Sequence, residues 1–299
     1  MKVLWGFAPL QQDNLAIKGM FKSIRQFSPD TKNISVGCVV SESDSYLSTA
    51  FDVPANERYS TYPKKLILGE LKKANALVDG NRIQVVQQKG FTTTKAVDRL
   101  LEVAKSQKAE LLALFTHNKT GLKRFFLGSF AETAIHRSPI DLLIVNPKSE
   151  IPQSIKNVIF ASDFSDRSKK DLEQVLELCE SLGARLTVFH AAEVTYSWSP
   201  DEDNSEILAY RKKTDRMAQW VREACQKKGV SCEVILKSEF KPTSELILKA
   251  AQKVKAQLII VSAETGPAAA LMGGSVTRQI VRNGKYPVLV IKRRKGNRS

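Results

Sequence analysis

Nothing in the 299-residue chain approaches the roughly 20 consecutive apolar residues of a membrane span. Lys2-Val3-Leu4-Trp5 reads as a strand rather than a secretion signal. Cysteine is scarce: Cys38, Cys179, Cys225 and Cys232 lack metal-ligand spacing and read as free thiols of a cytoplasmic protein. With His117, His136 and His190 they make no recognisable metal set. No phosphate-loop motif is present, since Gly121 to Gly128 lacks the Lys-Ser/Thr that must follow. No Ser-His-Asp set has the strand-turn context of a hydrolase, so catalysis has no support. Long runs of one charge are missing too. Residues 1–150 hold 21 Lys/Arg against 14 Asp/Glu (+7) and the remainder 25 against 17 (+8), with no basic block longer than Lys292-Arg293-Arg294-Lys295. Such an even balance gives weak, salt-sensitive attraction to polyanions and predicts no specific nucleic-acid partner.

What is present is a repeat. Gly128-Ser129-Phe130 opens a short amphipathic run, and Pro139 then precedes Ile140 to Val145. Ser275 lies 146 positions after Ser129, in Gly274-Ser275-Val276, and Pro287 precedes Val288-Leu289-Val290-Ile291. Both copies read as loop, helix start, helix and strand, one α/β unit used twice. A helix N-terminus entered through Gly-Ser is also a potential phosphate site.

The pattern between the copies is regular. In the first half strands are predicted near 2–6, 34–40, 82–87, 110–115 and 140–146, with helices near 11–27, 58–78, 93–106 and 128–137. In the second half, strands at Val158 to Ala161, Arg185 to His190, Ser231 to Leu236 and Leu258 to Val261 alternate with helices. Gly183 closes the first of these helices, Gly229 closes one predicted from about Asn204 to Lys228, and Pro242-Thr243-Ser244-Glu245 opens the third. Such alternation implies parallel sheets with right-handed crossovers, and ligands beyond the carboxyl ends of the strands where strand order reverses. The candidate segments are Ala161-Ser162-Asp163 and Gly6-Phe7-Ala8 after the first strands. The loops leading into Gly128-Ser129 and Gly274-Ser275 complete the set.

On these residues the chain resembles a tandem universal stress protein over nearly its whole length. The resemblance implies an Asp ending the first strand that holds adenine, and a G-x2-G-x9-G-[S/T] loop after the fourth strand that wraps phosphates and ribose. The first half has the right loop length, but Phe115 and Asn118 replace the first two glycines and Ala8 replaces the Asp. Gly128 and Ser129 remain. The second half keeps Asp163, in Ala161-Ser162-Asp163-Phe164-Ser165. Ser262 replaces its first glycine, Thr265 matches the second, and only eight residues separate Thr265 from Gly274, one short of the pattern. Asn tolerates left-handed backbone, whereas Phe115 would narrow the pocket and Ala8 removes an acceptor. The resemblance places candidate contacts at Ala161, Ser162, Asp163, Ala191, Val261, Ser262, Gly274, Ser275 and Val276. Asn118, Gly128, Ser129 and Phe130 are their counterparts in the first half.

Plainer roles stand beside these. Ser129, Ser275 and Ser165 are each consistent with a helix cap, and Asp163 with capping of the turn before Ser165. His117 suits a phosphate contact or a solvated loop equally. His190 reads as a satisfied core histidine, and His136 as charge-compatible with a helix C-terminus. Lys119, Lys123 and Arg124 flank the first loop; Tyr196 and Trp198 are placed over the second crevice as lid or as packing.

The reading is α/β: two flavodoxin-like, that is Rossmann-like, doubly wound parallel five-stranded sheets, at 1–148 and 154–299. They are expected to form an intramolecular pseudo-dimer with strands 140–146 and 286–292 antiparallel, which protects two apolar edges. The resemblance implies a cytoplasmic stress-response protein binding an adenine nucleotide, ATP or AMP, weakly in the second domain. Ligand-gated protein interaction would follow, with a homodimer of the tandem chain conceivable. It implies no enzyme, at most very slow ATP hydrolysis, because nothing organises Mg²⁺ and an attacking water. A degenerate scaffold, or a carrier of another small molecule or lipid, are the alternatives.

Overall fold

The computed structural model describes residues 1–9, 13–41, 53–54, 57, 59–88, 92–116, 129–146, 149–165, 168–191, 205–263 and 274–292. In chain order the first-half elements are β1 (Val3–Gly6), α1 (Asn14–Phe27), β2 (Ile34–Ser41), α2 (Thr61–Lys73), β3 (Ile83–Gln88), α3 (Thr93–Ser106), β4 (Leu111–Phe115), α4 (Ser129–Arg137) and β5 (Asp141–Val145). There follow β6 (Asn157–Ala161), α5 (Ser168–Leu182), β7 (Arg185–Ala191), α6 (Ser205–Lys227), β8 (Cys232–Lys237), α7 (Thr243–Lys253), β9 (Leu258–Ala263), α8 (Gly274–Asn283) and β10 (Val288–Lys292). Compactness divides the chain into two units, Met1–Gln153 with Ala263–Ser299, and Ser154–Ser262. That division differs from the repeat, because α8 and β10 count with the first half.

In the first unit the sheet order is β3-β2-β1-β4-β5-β10. Neighbours are parallel up to β5, and β10 then pairs with β5 antiparallel, with Val288 opposite Ile144 and Val290 opposite Leu142. The expected pairing of the two terminal strands is therefore present, and Leu142, Leu143, Ile144 and Val290 are removed from water. In the second unit the order is β9-β6-β7-β8, all parallel. The order 3-2-1-4-5 is the Rossmann member of the doubly wound class. β4 and β5 are buried at every residue, as strands covered on both faces must be.

The helices follow from spacing and end signals. In α1, Ile17, Met20, Ile24 and Phe27 recur on one face and are buried, and the Asp13 carboxylate caps the start by accepting from the Ala16 N–H at 2.7 Å. The helix starts at Asn14 rather than near residue 11. α2 ends at Lys73 rather than 78, although Leu77 and Val78 continue the apolar pattern. Asn75 turns left-handed (φ 56°), and Ala76 N–H returns to Leu71 O, closing the helix. α5 and α6 close in the same manner at Gly183 (φ 58°) and Gly229 (φ 67°). A Cβ at Gly229 would meet nothing within 4 Å, so Gly229→Ala isolates the cost of left-handed backbone. We expect about 1–2 kcal/mol of destabilisation in a urea melt, with no change in binding.

Candidate functional site

In the second unit, strand order reverses between β6 and β9, the neighbours that share register from Val158–Leu258 to Ala161–Val261. Beyond their carboxyl ends a doubly wound sheet leaves its crevice. Ala161 is half-buried at the end of β6, and the chain then turns through Ser162, Asp163, Phe164 and Ser165. This turn holds itself together. Ser162 Oγ accepts from Phe164 N–H at 3.2 Å, and Asp163 Oδ1 accepts from Ser165 N–H at 3.0 Å and from its hydroxyl at 2.8 Å. The turn-capping role for Asp163 is thus observed, with its carboxylate on an exposed residue. Among the described residues Ser165 makes no side-chain hydrogen bond to the start of α5. Its carbonyl instead accepts from the N–H and hydroxyl of Ser168.

Phe164 adopts a left-handed conformation (φ 53°), unfavourable for a bulky residue, yet is only 4% exposed. Its ring lies flat on His190 at 4.4 Å with an interplanar angle of 4°. His190, at the end of β7, is buried and fully satisfied, as the core-histidine reading expects. Its Nδ1 lies 2.9 Å from Ser162 O and its Nε2 2.8 Å from Tyr210 Oη. A carbonyl can only accept, so Nδ1 donates to Ser162 O, and Nε2 is left to bond the tyrosine hydroxyl. The histidine thereby fixes the floor of the turn bearing Asp163, and is itself held by Tyr210 of α6, twenty residues further along the chain.

On the adjacent strand Val261 is buried, and Ser262 Oγ is buried with no hydrogen-bond partner among the described residues. Such an orphaned hydroxyl costs on the order of 1–3 kcal/mol, and it lies at the carboxyl end of β9, beside the reversal point. Ala191 ends β7 half-buried. Gly274, Ser275 and Val276 open α8, which belongs to the other unit, and Val276 is half-buried there.

Register makes the comparison between repeats quantitative. Val3 lies beside Leu111 as Val158 lies beside Leu258. Hence Gly6 corresponds to Ala161, Ala8 to Asp163, and Phe115 to Ser262. Phe115 is buried, and the next residue, Thr116, carries a buried hydroxyl that has no partner among the described residues. The first-half turn therefore has no carboxylate at this place. Helix α4 begins at Ser129, which is its first helical residue rather than its cap; the Ser129 hydroxyl lies 3.4 Å from Thr93 Oγ1, and Phe130 is half-buried. Asn118, Gly128, His117, Lys119, Lys123 and Arg124 lie outside the described residues, as do Tyr196, Trp198, Thr265 and Gly273. His136 departs from expectation: burial, then the nearby Lys292 and Arg278 charges, hold its imidazole below the usual value, against the opposing effect of Glu132. A cation at that helix end is supplied instead by Lys292, whose ammonium donates to Ile135 O.

Sequence reasoning missed Tyr210, Ser262 as an orphaned hydroxyl, and Thr116 altogether. No local signal marks Tyr210, because only the fold of α6 over β7 brings it to His190. Among the described residues no group of His, Cys, Asp or Glu is placed to hold a metal, and no helix is long and apolar enough to cross a membrane.

Fold and crevice define a doubly wound α/β protein with one repeated unit. The model of the universal stress protein family matches residues 32–146 and 154–292, and the chain belongs to that family. Among solved structures it is similar to a universal stress protein from Archaeoglobus fulgidus (18% identity, 98% of each chain covered, TM-score 0.68). It is also similar to a putative universal stress protein from Pseudomonas aeruginosa (16% identity, 98% of this chain and 93% of that one, TM-score 0.61). At these identities the likeness establishes the fold. No curated protein matches the chain.

Proposed function

We propose that this universal stress protein consists of two repeats, 1–148 and 154–299, and binds an adenine nucleotide in the second. One observation carries this reading: Asp163 stands at the carboxyl end of β6, beside the point of strand reversal, on a turn fixed by Ser162, Ser165 and His190. A carboxylate held there accepts from an exocyclic amine without first being ordered, and preorganisation of this kind favours affinity. The buried Ser262 hydroxyl, without a partner among the described residues, supports this reading as a second polar group in the crevice. In the first repeat Ala8 and the buried Phe115 remove both features, which supports a scaffolding role for that half. The protein would act in the cytoplasm by ligand-gated association with protein partners, itself included, and bind rather than turn over its nucleotide.

Asp163 also ties the turn, so its variant needs a control. Ser165→Ala removes the hydroxyl that Asp163 holds but leaves the carboxylate. Thermal shift with ATP and with AMP should show stabilisation of the native chain, retained in Ser165→Ala. In Asp163→Ala affinity should fall by about 1.5–3 kcal/mol, tenfold to a hundredfold. No shift at millimolar nucleotide would remove this function, and an equal loss in both variants would assign Asp163 to the turn alone.

A further inference from the structure

Three of the four cysteines, scattered in sequence, meet at one end of the second unit. Helices α5 and α6 end identically, with a left-handed glycine and a six-residue closure whose acceptor is a cysteine carbonyl. Ala184 N–H bonds to Cys179 O at 2.9 Å, and Val230 N–H to Cys225 O at 3.0 Å. After Val230 only Ser231 precedes Cys232, the first residue of β8. The reversal brings Cys232 back over the last turn of α6. Leu186 N–H bonds to Ser231 O at 2.9 Å and Leu186 pairs in register with Cys232, which fixes the position from β7. The Cys225 and Cys232 side chains are thereby neighbours, each near enough to perturb the other, with Cys179 beside them; the Cys232 thiol donates to Glu233 O at 3.7 Å.

The three differ in environment. Cys179 is fully buried, and burial pushes its thiol up to about 12, so it stays protonated. The neighbouring Cys232 lowers the Cys225 thiol, whereas Cys225 and burial raise that of Cys232, so Cys225 is the member of the pair that ionises more readily. Cys225 is 1% exposed, whereas Cys232 is half-buried on the edge strand of this unit's sheet, which gives a small oxidant an approach.

We propose that Cys225 and Cys232 are an oxidation site for small hydroperoxides, closing reversibly to a disulfide. The Cys225 thiolate attacks one peroxide oxygen and the O–O bond breaks. The other oxygen leaves as hydroxide and takes a proton to become water, leaving a sulfenic acid on Cys225. The Cys232 sulfur then attacks the Cys225 sulfur and the S–O bond breaks. Hydroxide departs with the thiol proton as a second water. Both sulfurs are oxidised, and both oxygens of one hydrogen peroxide are reduced. Attack requires the thiolate, which Cys225 forms more readily than Cys232. The partner thiol, seven residues on at the start of β8, resolves the sulfenic acid before further oxidation.

The full-length, reduced protein is treated with hydrogen peroxide, its thiols counted after denaturation, and its linkages mapped by peptide mass spectrometry without reductant. Four titratable thiols should fall to two, with one intrachain Cys225–Cys232 linkage that dithiothreitol reverses; Cys179→Ser should behave identically. In Cys232→Ser the linkage should vanish and dimedone should trap a sulfenic acid on Cys225. In Cys225→Ser thiol loss should slow by about tenfold or more, as the lowered thiol is gone. Linkage through Cys38 or Cys179, or four surviving thiols where glutathione is fully oxidised, would overturn the proposal. The linkage map of the unsubstituted protein decides the matter even where a variant fails to fold.

Discussion

Asp141→Ala will cost the native state about 3 kcal/mol at pH 7, and the deficit will shrink as the pH rises. Asp141, at the start of β5, is 4% exposed and accepts from the backbone N–H of Lys292 at 2.8 Å, while the Lys292 side chain is 2% exposed. Burial lowers the Lys292 ammonium from 10.5 to about 8, and the Asp141 charge opposes that fall. Without Asp141 a buried cation loses its counter-charge and must be neutralised. The native state therefore binds fewer protons than the unfolded chain between about pH 8 and 10.5, and Lys292 makes stability rise with pH through that window. With Asp141 removed the window opens at lower pH, and by pH 10 the neutral amine needs no partner. Urea unfolding of both proteins at pH 7 and pH 10 checks this. A deficit under 1 kcal/mol, or one equal at both pH values, would mean that Asp141 does not hold the lysine.

Phe164→Ala is expected to lose about 3–4 kcal/mol, and Phe164→Gly about 1 kcal/mol less. Both delete a ring that is buried and stacked on His190, leaving a void above the histidine. Only glycine is relieved of the left-handed backbone at this residue. The order of the two variants is the diagnostic, since propensity alone would rank alanine above glycine. Denaturant melts give that order. A nucleotide titration of the glycine variant then tests whether the ring also positions Asp163 for binding.

Much of the architecture was legible because its signals are local. The end of α1 at Phe27, the closures at Gly183 and Gly229, and the apolar strands at Leu142 to Val145 and Leu258 to Val261 need only neighbouring residues to be set. Helix ends carried by a non-glycine in left-handed backbone were not legible, and α2 was overrun by five residues because Asn75 gives a weaker stop than glycine. At the site, Asp163 was legible by position. The contacts that hold it were not, because Tyr210 and His190 are joined by the packing of a helix on a strand, which no spacing rule encodes.

The sequence alone determined the repeated α/β unit, the parallel pairing that follows from it, and which copy keeps a carboxylate at the strand end. Periodicity, glycine and chain handedness act over a few residues each. Tertiary structure decided which polar groups are satisfied: His190 by Ser162 and Tyr210, Lys292 by Ile135 and Asp141, and Ser262 by nothing among the described residues. It also decided that Cys179, Cys225 and Cys232 are neighbours. Burial and hydrogen-bond partners are properties of separations in space, and distant parts of a chain acquire them only once the sheet has closed.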